Sequence, residues 1–258
     1  MHRDAVRNTR YPVLYIHDGQ NLFDPATSTN GQPWAVDKKV LALMQAKKIR
    51  PPIIVGIDNT SLRRREYAPA AAVANMSPTA IEARNYAKEP LLADGYLHSM
   101  VSDLKPFIDR RYRTLTDAPN TATMGASMGG LISLYALAKY SETFGAAGCM
   151  STHWPVTTNP KLVRPPMSAV GLEIANSFIT WLEQNLPKAG KHKLYFDHGT
   201  INLDALYLGY QQRVDAIVKA KVYVNNKDWI TVVETGADHN ETAWRERVDV
   251  PLQLFFKT

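Results

Sequence analysis

Short apolar runs alternate along this chain with segments of helical period, and that alternation is what most restricts its fold. Residues 11–19 (YPVLYIHDG), 51–59 (PPIIVGIDN), 121–127 (TATMGAS), 144–151 (FGAAGCMS), 192–200 (HKLYFDHGT) and 229–236 (WITVVETG) read as buried strands. Helical spacing lies between them. Residues 36–48 place Val36, Val40, Leu43 and Met44 on one side. Residues 95–112 carry a stripe of Leu97, Val101, Leu104 and Ile108, with Pro106 as a kink or break. Residues 128–140 and 205–220 read as further helices, and 241–256 as one closing helix with Trp244, Val248 and Leu252 spaced by four. The expected class is α/β, with a mostly parallel central sheet and helices on both faces. One domain over 1–258 is expected, with insertions near 67–94 and 152–189 that shape a pocket.

Composition narrows the function classes. The net charge is +6, but the charges are scattered, and the densest cluster is Arg63-Arg64-Arg65. No nucleic-acid-binding motif accompanies it, so a nucleic-acid partner is not expected. No apolar run is long enough to span a bilayer. The opening MHRDAVRNTR has no apolar segment behind it and does not read as a signal peptide; cytoplasm and periplasm both stay open. The single cysteine, Cys149, excludes an internal disulfide and a cysteine-based zinc site. It reads as a buried, inert thiol.

Gly125-Ala126-Ser127-Met128-Gly129 fits the G-x-S-x-G pattern between a strand and a helix. A nucleophile on such a turn has a strained backbone and needs small neighbours two positions either side, which Gly125 and Gly129 supply. The rival reading is a Gly/Ala packing turn. A serine hydroxyl needs a base. Of seven histidines, His239 alone follows the last strand, where an α/β-hydrolase carries its base. The acid belongs on the loop after the preceding strand. Asp204 lies in that loop; Asp197 lies within the strand and reads as structural, and Glu234 is a weaker third choice. The expected oxyanion donors are the backbone N–H groups of Met128 and of Gln20, which follows Gly19.

These residues resemble a known family. YPVLYIHDGQNLFD, EYAP (66–69), LKPFIDRRYRT, GASMGGLISLYAL, YFDHGTINLDALY and ADHNETAWRERVDVPLQLFF together resemble the esterase D-like family of α/β-hydrolases. It includes feruloyl and acetyl-xylan esterases, enterobactin esterases, S-formylglutathione hydrolases and mycolyl transferases. The resemblance runs from about residue 11 to residue 256. It implies a Ser127–His239–Asp204 triad with the Gln20 and Met128 amides, and Trp154 of MSTHW as a pocket residue. Only ten residues precede the YPVLY block, fewer than the family's first strands take, and 70–94 matches no family block.

The reaction so read is ester hydrolysis through an acyl-enzyme, on a small-molecule ester, with no metal or organic cofactor. Two other enzyme readings stay open. One is an enterobactin-type siderophore esterase, drawn by the net charge and by Arg63 to Arg65, with Arg65 as a pocket residue. The other is acyl transfer to a second alcohol. From another class comes an inactive binding module on a hydrolase scaffold. Oligomeric state is open.

Overall fold

The structure is a computed structural model; it describes residues 8–84, 89–157, 159–164 and 166–258. His2 and most of the basic N-terminal stretch therefore lie outside the described residues. Among these residues six strands form one sheet: β1 (Val13–His17), β2 (Ile53–Ile57), β3 (Thr121–Ala126), β4 (Ala146–Met150), β5 (Lys193–Gly199) and β6 (Trp229–Glu234). Their order is β2-β1-β3-β4-β5-β6, and every neighbouring pair is parallel. β1, β3, β4 and β5 are buried almost throughout, whereas the edge strands β2 and β6 are half-buried. This is the burial expected of a parallel sheet covered on both faces.

The principal helices are α1 (Val36–Gln45), α2 (Ala93–Ser99), α3 (Lys105–Arg111), α4 (Met128–Lys139), α5 (Ala169–Asn185), α6 (Leu208–Ala220), α7 (Glu241–Arg247) and α8 (Asp249–Phe256). Side chains alternate across each strand, so the sheet feeds two cores. Val13, Tyr15, Cys149, Leu194 and Phe196 meet residues of α2, α5 and α6 on one face. Leu14, Ile16, Met124, Met150 and Tyr195 meet α1, α7 and α8 on the other. In α1, Val36, Val40 and Leu43 are buried, while Met44 is exposed.

Two expected helices are interrupted. The stretch 95–112 is two α-helices joined by a π-helical turn, Met100–Leu104. Pro106 has no N–H to give and sits in the first turn of α3, where none is needed. The closing stretch divides into α7 and α8 at Val248, with Pro251 early in α8. Trp244, Val248 and Leu252 are nevertheless all buried, so the apolar stripe survives the break. The stretch 152–189, expected only as an insertion, contains the 17-residue α5. Ser168 caps that helix by accepting a hydrogen bond from the Gly171 amide.

Candidate active site

Ser127 stands between β3 and α4 with φ 58° and ψ −123°. A non-glycine residue there carries strain on the order of 1–3 kcal/mol, held by its surroundings. The Ser127 amide donates to the Met150 carbonyl at 2.9 Å, and its carbonyl accepts from the amides of Gly130 and His153. The turn is too tight for a side chain at Gly125, whose added Cβ would lie 2.6 Å from the Gly129 backbone carbon. The small residues of the motif are thus a packing requirement of the turn itself.

His239 follows β6, and its Nδ1 is 2.6 Å from Asp204 Oδ1. Its ring is wedged edge-on between Tyr207 and Trp244, with centroids at 5.8 and 5.1 Å. Asp204 is fully buried. Its Oδ2 accepts from the Gly199 amide at 2.7 Å and from Ser151 Oγ at 2.6 Å. Burial pushes the Asp204 carboxyl up, but the bonds from His239, Ser151 and Gly199 outweigh it and hold it below the usual range. An ionised Asp204 only accepts, so the His239 nitrogen facing it carries the proton. Nε2 is then left as a lone-pair acceptor.

Asp197 is differently engaged. It accepts from Tyr195 Oη at 2.8 Å and from the Ser151 amide at 2.9 Å, and pairs with Arg247 at 3.0 Å.

Ser127 and His239 line one cavity of about 510 Å³. Gln20, Asn21, Asn59 and Arg63 are also on its wall. Gln20 lies in the single 3₁₀ turn Gly19–Asn21, and Met128 opens α4. Amides in a first helical turn have no partner within the helix. Gly19 lets this turn press on β2: an added Cβ would be 2.6 Å from the Ile57 nitrogen.

Two expected pocket residues lie elsewhere. Trp154 is fully buried, its ring tilted on Phe196 at 6.0 Å, and it belongs to the core rather than the cavity wall. A large apolar ring gains more from that packing than from a wet cleft. Arg65 donates to the Pro90 carbonyl at 2.9 Å and pairs with Glu89 at 3.1 Å, which turns it off the cavity. The arginine on the wall is Arg63, clamped bidentately by Asp18 at 2.6 and 2.7 Å. Sequence reasoning also missed Trp34 and Trp244 on the wall, and Ser151 and Arg247 behind Asp204. The only signal for Ser151 was its place at the end of β4, beside the strand that leads to the acid.

Of the other buried imidazoles, two have both ring nitrogens bonded. His17 bonds Tyr96 Oη at 2.7 Å and Thr123 Oγ1 at 3.1 Å. His153 bonds Tyr207 Oη at 2.8 Å and the Thr157 carbonyl at 2.7 Å. Burial pulls both down to about 4 from an ordinary 6.5. A histidine with a lowered folded value stabilises the fold above its unfolded value and loses that contribution as pH falls. We expect stability to fall between pH 6.5 and 4, by on the order of 3 kcal/mol for each ring. Urea midpoints at pH 7 and pH 4.5 test this; equal midpoints would refute it.

The family described as "Putative esterase" matches residues 3–250. The chain belongs to this family. Among curated proteins, the chain is 28% identical over 152 residues to the ferri-bacillibactin esterase BesA of Bacillus subtilis (strain 168). That match covers 56% of this chain and 49% of BesA. It is 24% identical over 145 residues to the uncharacterized protein YbbA of the same strain, covering 56% and 51%. The chain spans about half the length of the curated relatives it matches. Solved structures include a ferulic acid esterase (TM-score 0.62, 16% identity, 98% of this chain and 87% of that one). Another is the enterobactin esterase FES from Shigella flexneri (TM-score 0.66, 17% identity, 96% and 51%). These likenesses are of fold: this chain has the α/β-hydrolase fold. Among its described residues no helix is long and apolar enough to cross a membrane.

Proposed function

We propose that this chain is a serine carboxylesterase with Ser127 as nucleophile, His239 as base and Asp204 as the acid that orients it. One observation carries the reading. A strained serine at a helix start shares a cavity with a histidine whose far nitrogen is fixed by a buried carboxylate. Ser127 Oγ attacks the ester carbonyl as its proton passes to His239 Nε2. Asp204 stabilises the imidazolium. The negative oxygen is met by the Gln20 and Met128 amides; losing one such donor costs about 10²–10³ in rate. His239 then protonates the departing alcohol, and a water repeats the cycle on the acyl-enzyme.

The cavity wall supports one class of substrate. Gln20, Asn21, Asn30, Asn59 and Asn240 line it together with the charged Asp18, Arg63 and Glu241, and its large aromatic residues are Trp34 and Trp244. Such a site suits a compact or aromatic group with hydrogen-bonding substituents. An apolar slot would add about 0.8 kcal/mol per buried methylene, so rate would climb with acyl length. Here kcat/KM is expected to fall from p-nitrophenyl acetate to octanoate. A steady rise would overturn the polar-pocket reading.

A siderophore ester is a second reading, supported by the identity to BesA and by the same polar wall. The arginine cluster gives it less support, because Arg63 is held by Asp18 and Arg65 by Glu89. An organophosphonate probe followed by peptide mapping tests the nucleophile directly. One adduct per chain, on Ser127, is expected. An unlabelled, folded chain would leave a binding module as the better account.

A further inference from the structure

Behind the acid lies a buried polar cluster that the proposed chemistry does not use. Ser151 Oγ accepts from Trp244 Nε1 at 3.0 Å and from Arg247 Nη2 at 2.7 Å. A hydroxyl has two acceptor positions and one proton. Both acceptor positions are filled by N–H donors, so the Ser151 proton has one direction left, Asp204 Oδ2 at 2.6 Å. Trp244 and Arg247 sit three residues apart on α7 and so reach Ser151 from the same face. Ser151 itself has φ 41°. The surroundings thus hold this residue in an unfavourable conformation to place its hydroxyl there.

Arg247 is 4% exposed. Its Nε pairs with Asp197 at 3.0 Å, and its Nη2 is 3.8 Å from Asp204 Oδ2. One guanidinium therefore lies between two fully buried carboxylates. We propose that Arg247, anchored by Asp197 and acting through Ser151, is the positioning residue that keeps Asp204 an acceptor and sets the pH range over which His239 serves as a base. This rests on the triad proposed above. Asp197 then has a definite part: it absorbs some of the arginine's charge, so that Asp204 retains enough negative potential to hold an imidazolium.

The signs follow from charge alone. Removing the charge of Asp197 turns Arg247 wholly on Asp204 and disfavours the imidazolium. Removing the charge of Arg247 favours it. The remaining groups around the His239 ring are Asp238 and Glu241 on its own segment, Tyr207 and His153 beside it, and Asp18 and Arg63 across the cavity. None of them changes in these variants.

The test is an NMR pH titration of the His239 ring proton, assigned by its loss in His239→Gln. Asp197→Asn keeps its shape and leaves Arg247 facing Asp204; it should move the midpoint down by about one pH unit. Arg247→Gln should move it up, and the double variant should return it toward the parent value. The acid limb of kcat/KM should follow in each case. A merely structural Arg247 would leave the midpoint in place in whichever variants fold, and that result would overturn the proposal. Failure of the esterase reading is seen separately, as a missing Ser127 phosphonate adduct, because the ring titration needs no turnover.

Discussion

Ser127→Ala should reduce ester turnover about 10⁶-fold, to the level that binding and the oxyanion donors sustain without a nucleophile. Folding should be preserved. The hydroxyl is not the cap of α4, since Ser127 accepts no side-chain hydrogen bond from the helix amides. The backbone bonds that hold the turn, from the Ser127 amide to Met150 and from Gly130 and His153 to the Ser127 carbonyl, do not involve Oγ. Alanine at φ 58° meets much the same backbone strain as serine. The variant should therefore show a parental melting curve, no turnover and no phosphonate labelling. Retained turnover in purified Ser127→Ala would end the assignment, whatever the fold.

Asp204→Asn should lower kcat on the order of 10⁴-fold, by analogy with other triads. The carboxamide fits the same space, but it has an N–H face as well as an oxygen face. Ser151 Oγ and the Gly199 amide both donate to Oδ2, so they select the amide oxygen for that side. The NH₂ group then points at His239 Nδ1. It donates where the carboxylate accepted, the ring takes the opposite tautomer, and Nε2 holds a proton when it should receive one. Asp197→Asn does not meet the ring and should leave kcat at neutral pH within a few-fold. A steep loss in Asp197→Asn with activity kept in Asp204→Asn would reverse the choice of acid.

Much of this was legible in the residues. Parallel strands buried on both faces need no alternation, so β1 and β4 show as nearly continuous apolar runs. The serine turn was legible because its geometry admits only small residues at Gly125 and Gly129, and steric demands of that kind leave a mark in the chain. His239 and Asp204 could be chosen by their order along the strands. Side-chain direction was not legible. Arg63 and Arg65 fall in one short turn, Arg63–Glu66, and residues two apart on a helix point to opposite sides. The cluster therefore splits between the cavity and Pro90. Trp154 was misplaced for a related reason: a loop tryptophan fits a cleft and a core equally well until its neighbour, Phe196, is known. The Arg247–Asp197 pair joins residues fifty positions apart, and no local pattern announces it.

Every strand of the sheet sends its following segment to the site: Gln20 after β1, Asn59 after β2, Ser127 after β3, Ser151 after β4, Asp204 after β5 and His239 after β6. Each parallel pairing has to wait for a long crossover to close before its contacts repay the lost chain entropy. No fragment of the sheet lacking an edge strand can hold the whole set, since its outermost contributors come from opposite edges. The full set of contributors should accordingly assemble only after both edge strands have docked.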